Sequence, residues 1–431
     1  MEKKPMLSVA QALQTLLQAV RPIQEIEQVS TLAANGRVLA QAQRSSLYAP
    51  PMDNTQMDGY AVRAADCESG CARLRVSQRI PAGVVGQTLE PGTAARIFTG
   101  AFIPAGADAV VMQEQCEVEN FNDGQDQQTF VTIRHQVKPG EWIRRQGEDI
   151  QQGAEILPAG TRLRPQELGL AASVGLATLP VLRALRVAVF FTGDELTMPG
   201  EPLKPGSIYN SNRFLLTGLL QNLGCQITDY GIVPDNLAAT RATLREAAQQ
   251  HDLIITSGGV SVGEEDHIRP AVEAEGNINM WQIAVKPGKP LAFGEVRRVA
   301  QLDQVEQVNP IEMNQVANTA FFLGLPGNPV SSFVTFLLFV RPFILRMQGI
   351  QNITPISYLM RADFEWKKAD KRNEFLRAKM NAEGGLTLFS NQSSGVLTST
   401  VWGDGLIDLA AGQTVAHGDM VKFIPFNGLL Y

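Results

Sequence analysis

The sequence has little cysteine or histidine, four of each in 431 residues. Cys67, Cys71, Cys116 and Cys225 are too few for a disulfide framework, which points to reduced thiols and a cytoplasmic location. Cys67 and Cys71 could form half a zinc site, but there is no second pair and His135, His251, His267 and His417 are scattered, so free thiols are expected. Charge of one sign is also lacking: 37 Lys+Arg against 43 Asp+Glu give a formal −6, with no dense basic cluster. A nucleic-acid partner, which needs phosphate-neutralising surface, is not expected. The longest apolar run, around Ser331 to Leu345, is cut by Arg341 and Pro342 and is too short for a bilayer, so no membrane span is expected. The first residues, MEKKPMLSVA, carry no apolar signal core, and export is not expected. The chain contains no GxxxxGK[ST], and SGGVSVG lacks GxGxxG spacing, which weighs against a P-loop ATPase and a dinucleotide dehydrogenase.

What is present is enough chain for several cores. Val9, Leu13, Leu16, Leu17 and Val20 recur at helical spacing after Ser8, a candidate N-cap, and predict a first helix. From Pro50 short β-prone runs are divided by Pro and Gly, which predicts a small β-rich domain at 51–145. Residues 1–50 and 146–181 are expected to form a helical linker domain, with Pro165 in the first turn of a helix. From Leu185 apolar runs (LRVAVFFT, CQITDYGIV, DLIITSG, AFFLGLP) alternate with helical segments, the pattern of buried parallel strands and their crossovers. The fold class is therefore α/β and multidomain, with a central doubly wound domain at 182–349. Glu295 to Asn318 lacks a clear period and is expected as an exposed hairpin or loop. Residues 350–431 return to β texture, expected as a small barrel or sandwich.

In such a sheet, ligands sit beyond the carboxyl ends of the strands. The loops there are unusual: Thr192 and Gly193 precede Glu195, Asp235 comes after the second strand, and Ser257, Gly258, Gly259, Ser261 and Gly263 lead to Asp266. Pro326, Gly327, Asn328 and Pro329 come after the last strand, Asn328 being placed to cap a helix. Glycine lets backbone N–H groups converge on an anion, and two such loops favour a phosphate or oxyanion cradle over tight turns alone. Glu195, Asp235 and Asp266 could converge on one edge, where Mg²⁺ would bridge carboxylates to phosphate oxygens; the alternative is that each caps a helix or meets solvent. Lys286 and Lys289, stiffened by neighbouring prolines, suit an oxyanion. No Ser-His-Asp or Cys-His nucleophile is visible.

Seven ordered stretches, PPMDNTQMDGYAV, RIFTGAFIPAGADAVVMQE, IRRQGEDI, VFFTGDEL, ITSGGVSVGEEDH, VKPGKPLAFG and GLPGNPVSSFVTF, together resemble the molybdopterin molybdenumtransferases, bacterial relatives of the gephyrin E domain. The resemblance implies an elongated homodimer of four-domain subunits. It would take adenylylated molybdopterin, molybdate and Mg²⁺ and release AMP and molybdenum cofactor, exchanging substrate and product with a pterin adenylyltransferase and acceptor molybdoenzymes. By the same resemblance, Glu195, Asp235 and Asp266 serve substrate or metal binding and turnover, and Asp58, Thr99 and Asp149 reach the cleft from the partner subunit. Lys286, Lys289, Arg377 and Ser394 match molybdate positions, and the glycine loops the pterin site. Gln282 stands where the family carries a basic residue, leaving one charge fewer near the ligand phosphates. Two alternative functions are a pterin-binding scaffold without catalysis and a pterin adenylyltransferase.

Overall fold

The computed structural model describes residues 6–122, 127–260, 267–298 and 318–430. Its contacts divide the chain into two units. The first comprises Gln28–Asn35 and Leu39–Leu179, and the second Met1–Glu27, Gly36–Val38 and Pro180–Tyr431. This division is coarser than the four domains expected from sequence and differs from them at the first helix, which belongs to the second unit.

The first unit is built on a six-stranded sheet in the order Ala109–Met112, Gly59–Val62, Thr93–Ile97, Ala72–Ile80, Gln127–Ile133, Cys116–Asn122. Its core includes Tyr60, Val62, Leu74, Val111, Val131 and Ile133, side chains that alternate along the strands toward one face. The helix Pro165–Ser173 begins at the proline, as expected.

The second unit contains a six-stranded sheet of β1 (Arg186–Thr192), β2 (Gln226–Val233), β3 (Leu253–Ser257), β4 (Gly276–Gln282), β5 (Pro290–Arg297) and β6 (Thr319–Leu325). Their order is β2-β1-β3-β6-β5-β4. The four apolar runs read from sequence are the parallel strands β2, β1, β3 and β6. The sheet is not wholly parallel, because β5 pairs antiparallel with both β6 and β4. The start of the expected loop at Glu295 lies inside β5, and 299–317 fall outside the described residues.

Helices α1 (Ser211–Asn222), α2 (Leu237–Gln250), α3 (Ile268–Glu275) and α4 (Pro329–Met347) cover both faces. Val187, Val189, Phe191, Leu253 and Ile255 pack with α1 and α4, whereas Ala188, Phe190 and Ile254 pack with α2 and α3. Burial on alternating faces is why these strands are apolar without a break. α4 is long and apolar enough to cross a bilayer, but 89% of that stretch is buried in the core.

The N-terminal helix Val9–Ala19 buries Ala12 and Leu16 in the same core as α1 and α4. Its periodicity identifies a helix, but local pattern carries no information about which core receives it. Ser8 caps it with a capping box: Gln11 N–H donates to Ser8 Oγ at 3.2 Å and Ser8 N–H to Gln11 Oε1 at 2.9 Å. Ser8→Ala is expected to lower stability by about 1 kcal/mol, read from the midpoint of urea unfolding; an unchanged midpoint would mean that tertiary packing alone holds the helix.

The C-terminal part joins β7 (Tyr358–Arg361), β8 (Asn373–Met380), β9 (Leu386–Leu388), β10 (Gly405–Leu409) and β11 (Met420–Pro425) in the order β8-β10-β11-β7, with β9 beside β8. A bridge between Ala362 and Leu386 joins the end of β7 to β9, so the strands run round into a small barrel. The segment Val285–Lys286 pairs parallel with β8 and ties the barrel to the α/β sheet.

Candidate active site

From β1 the chain crosses to β2 on one side and then returns to β3 on the other, so the connections diverge at the carboxyl ends of β1 and β3. Such a switch point leaves a crevice in an open α/β sheet. Here it holds a cavity of about 850 Å³. Thr192, Gly193, Ser257, Gly258, Gly259, Pro326, Gly327, Asn328 and Pro329 all line it, as the loop reading expects. Ser261, Gly263 and Asp266 lie outside the described residues.

The loops are locked to one another. Asn212, in the first turn of α1, donates from Nδ2 to Ser257 Oγ at 2.8 Å and to the Gly327 carbonyl at 2.7 Å. Ser257 Oγ donates in turn to the Pro326 carbonyl at 2.9 Å. Ser257 is 3% exposed and fully engaged, so its hydroxyl is a bracket and not a nucleophile. Gly258 sits at φ +102°, and a Cβ there would stand 2.9 Å from the Thr192 carbonyl oxygen. Only glycine allows these two strand ends to approach so closely. Asn210 caps α1, accepting from Arg213 N–H at 3.1 Å, and lines the cavity with Asn328 at the start of α4. Two helix N-termini thus turn partial positive charge toward the cavity.

Glu195 and Asp235 both line the cavity. Asp235 is not the cap of α2: Asn236 is, its Oδ1 accepting from Ala239 N–H at 2.9 Å. Asn328 occupies the cap position of α4, but its side chain makes no capping bond there, a departure from the sequence reading. Among the described residues no three His, Cys, Asp or Glu side chains group as a metal site. Glu195 and Asp235 bring to this cavity carboxylate oxygens, the hard ligands that Mg²⁺ takes.

The same cavity is lined by Lys286, Lys289, Ser394 and, unanticipated, Arg372, Gln392 and Ser393. Arg377 does not line the cavity. Its side chain is fully buried, donating to Ser399 Oγ at 3.0 Å, to the Phe375 carbonyl at 3.3 Å and to the Ser393 carbonyl at 3.2 Å. Burial pulls its pKa down to about 10. Its contact with Ser393 makes it a support for the 392–394 loop, whose Ser394 carbonyl accepts from Val330 N–H at the start of α4. Arg372 belongs to no sequence motif, and Gln392 lies in the NQSSG stretch that carries Ser394 without having been singled out; the barrel brings both to the α/β edge.

Asp58, Thr99 and Asp149 belong to the first unit. Asp58 Oδ1 accepts from Thr99 N–H at 2.7 Å and Thr99 Oγ1 at 2.6 Å, and these bonds hold its pKa below the usual carboxylate range. Asp149 is exposed, with its N–H donating to the Ala49 carbonyl at 3.0 Å.

The switch-point cavity, its glycine loops and the appended barrel define a class: an α/β protein with a ligand-sized cavity at the carboxyl edge of its sheet, lined by glycine loops and charged side chains. Residues 7–175 match the MoeA N-terminal region (domain I and II), 188–346 a probable molybdopterin binding domain, and 360–426 the MoeA C-terminal region (domain IV). The molybdopterin molybdenumtransferase of Haemophilus influenzae is 38% identical over 99% of this chain and 100% of its own. That of Nostoc sp. is 36% identical over 91% and 86%. The crystal structure of the molybdopterin biosynthesis moeA protein from Pyrococcus horikoshii covers 98% of this chain and 100% of its own at 27% identity, with a TM-score of 0.78. The chain belongs to the MoeA family of molybdopterin molybdenumtransferases.

Proposed function

We propose that the cavity takes adenylylated molybdopterin and molybdate and, with Mg²⁺, inserts molybdenum into the pterin, releasing AMP and molybdenum cofactor. The observation that carries this reading is one cavity lined together by glycine loops, two carboxylates, two lysines and an arginine. The amides of Gly259 and Gly327 and the two helix N-termini suit the anionic groups of the pterin substrate, while the Gly258 N–H donates to the Leu325 carbonyl at 3.1 Å and ties the β3 and β6 ends together. Lys286 and Lys289 suit molybdate, a tetrahedral dianion that needs fixed positive donors.

Glu195 and Asp235 would hold Mg²⁺. When bound, the ion would neutralise charge on the pyrophosphate of the substrate. The chain itself contributes placement: the Asn212 bracket fixes the loops before substrate arrives, and Ser257 is engaged. Catalysis is by positioning and electrostatics, without a covalent enzyme intermediate. Asp58, Thr99 and Asp149 are proposed to act in a homodimer, each set closing the partner's cavity, in a cytoplasmic enzyme passing its product to acceptor molybdoenzymes.

The test is AMP release from adenylylated molybdopterin, titrated with molybdate and Mg²⁺, beside tungstate, with equilibrium sedimentation of the same sample. Release that depends on both, from a dimer, is expected. Pterin binding without molybdate-dependent AMP release at any Mg²⁺ concentration would favour the scaffold, and ATP consumption the adenylyltransferase.

A further inference from the structure

Three cations line the cavity among the described residues, and two already have partners. Lys286 Nζ lies 2.8 Å from Glu374 Oε1 and 3.4 Å from Asp370 Oδ2. Arg372 is gripped by Asp370, Nε to Oδ1 at 3.0 Å and Nη2 to Oδ2 at 2.9 Å. These two cations and two carboxylates sum to zero. Lys289 makes no ion pair among the described residues.

The partners differ in freedom. Glu374 is 2% exposed, sits opposite Lys286 in the pairing of Val285–Lys286 with β8, and accepts from Trp366 Nε1 at 3.0 Å through Oε2. It is fixed, while the Lys286 side chain is 41% exposed on a flexible stem. The Glu374 bond is also the largest cause of a Lys286 pKa above the usual lysine range. An anion entering the cavity must therefore compete with a buried carboxylate for Lys286, whereas Lys289 is at its disposal.

We propose that Glu374, with Asp370, sets the charge of the oxyanion site: it holds Lys286 against the cavity wall as an internal counter-ion and so limits how tightly a tetrahedral dianion is gripped. The inference rests on the oxyanion reading of the cavity. It separates two lysines that motif resemblance treats alike, with Lys289 carrying the charge the ligand meets and Lys286 positioned by the barrel.

The test uses the full chain, Glu374→Gln and Asp370→Asn, with molybdate affinity measured by calorimetric titration at low and high salt. Both variants are expected to bind molybdate about fivefold more tightly at low salt, with the gain shrinking as salt screens it. A gain cannot arise from misfolding, and Asp370→Asn leaves the Trp366 bond intact should Glu374→Gln fold poorly. Reductive methylation read by mass spectrometry reports Lys286 directly. It is expected to react more slowly than the exposed Lys368 in the native chain and to accelerate in Glu374→Gln. Unchanged or weaker molybdate binding by the folded variants, or a native Lys286 as reactive as Lys368, overturns the proposal. Absence of molybdate binding in the native chain would defeat the oxyanion reading and this role of Glu374 with it, while a slow Lys286 would still establish the pair.

Discussion

Asp235→Asn is expected to lower molybdate-dependent AMP release about a hundredfold or more while pterin affinity changes only a few fold. The side chain lines the cavity at the end of β2, one residue before the cap of α2. Because Asn236 caps that helix, the substitution removes a charge without removing the cap. Asparagine has nearly the same shape, so what is lost is the anionic oxygen that would help hold Mg²⁺ against the substrate pyrophosphate. The contacts proposed for the pterin at Gly259 and Gly327 would be untouched, which is why the loss is expected in turnover more than in binding. Glu195→Gln is expected to behave alike, and the double variant to be little worse than either, since groups that serve one ion act as a unit. A single-turnover assay of AMP release beside a titration of pterin binding separates the two quantities. Undiminished release by Asp235→Asn would remove this carboxylate from the reaction.

Much of this site was legible because strand ends announce themselves. Runs such as LRVAVFFT and DLIITSG are apolar throughout because α1 and α4 cover one face and α2 and α3 the other, so the residues where each run stops, Thr192 and Ser257, mark the carboxyl edge. The loops just beyond that edge are where an open sheet binds its ligands. Side chains that reach the cavity from elsewhere left no such trace. Asn212 arrives from a helix turn and Arg372 and Gln392 from the barrel, and each is an ordinary polar residue in its local sequence. Arg377 shows the converse case. A motif position marked it as a ligand contact, but β8 is buried from Glu374 to Ala378, and its guanidinium turns inward to Ser399 and the Ser393 carbonyl. The antiparallel run of β5 was equally hidden, since a β-prone segment such as PLAFGEVR specifies extended backbone and not direction.

Gly258→Val is expected to abolish pterin binding, with affinity lost by about a hundredfold or more and the melting temperature lowered, because strain at such a site costs on the order of 1–3 kcal/mol before any clash is counted. At φ +102° a β-branched residue is sterically excluded, and its Cβ would stand 2.9 Å from the Thr192 carbonyl oxygen, which is backbone and has no rotamer to yield. The loop can accept valine only by moving away from β1, and that movement breaks the Ser257 and Asn212 bonds that hold the β3 and β6 loops together. Gly327→Ala is the matched control. A Cβ there would meet Gly258 Cα at 3.7 Å, ordinary van der Waals contact, and its φ is outside the left-handed region, so binding within a few fold of the native chain is expected. The contrast separates glycine needed for backbone geometry from glycine that merely occupies a turn. Should Gly258→Val bind the pterin as well as Gly327→Ala does, the close approach of the β1 and β3 ends is not what shapes the cavity, and the cradle would have to be built from the side chains of the barrel wall instead.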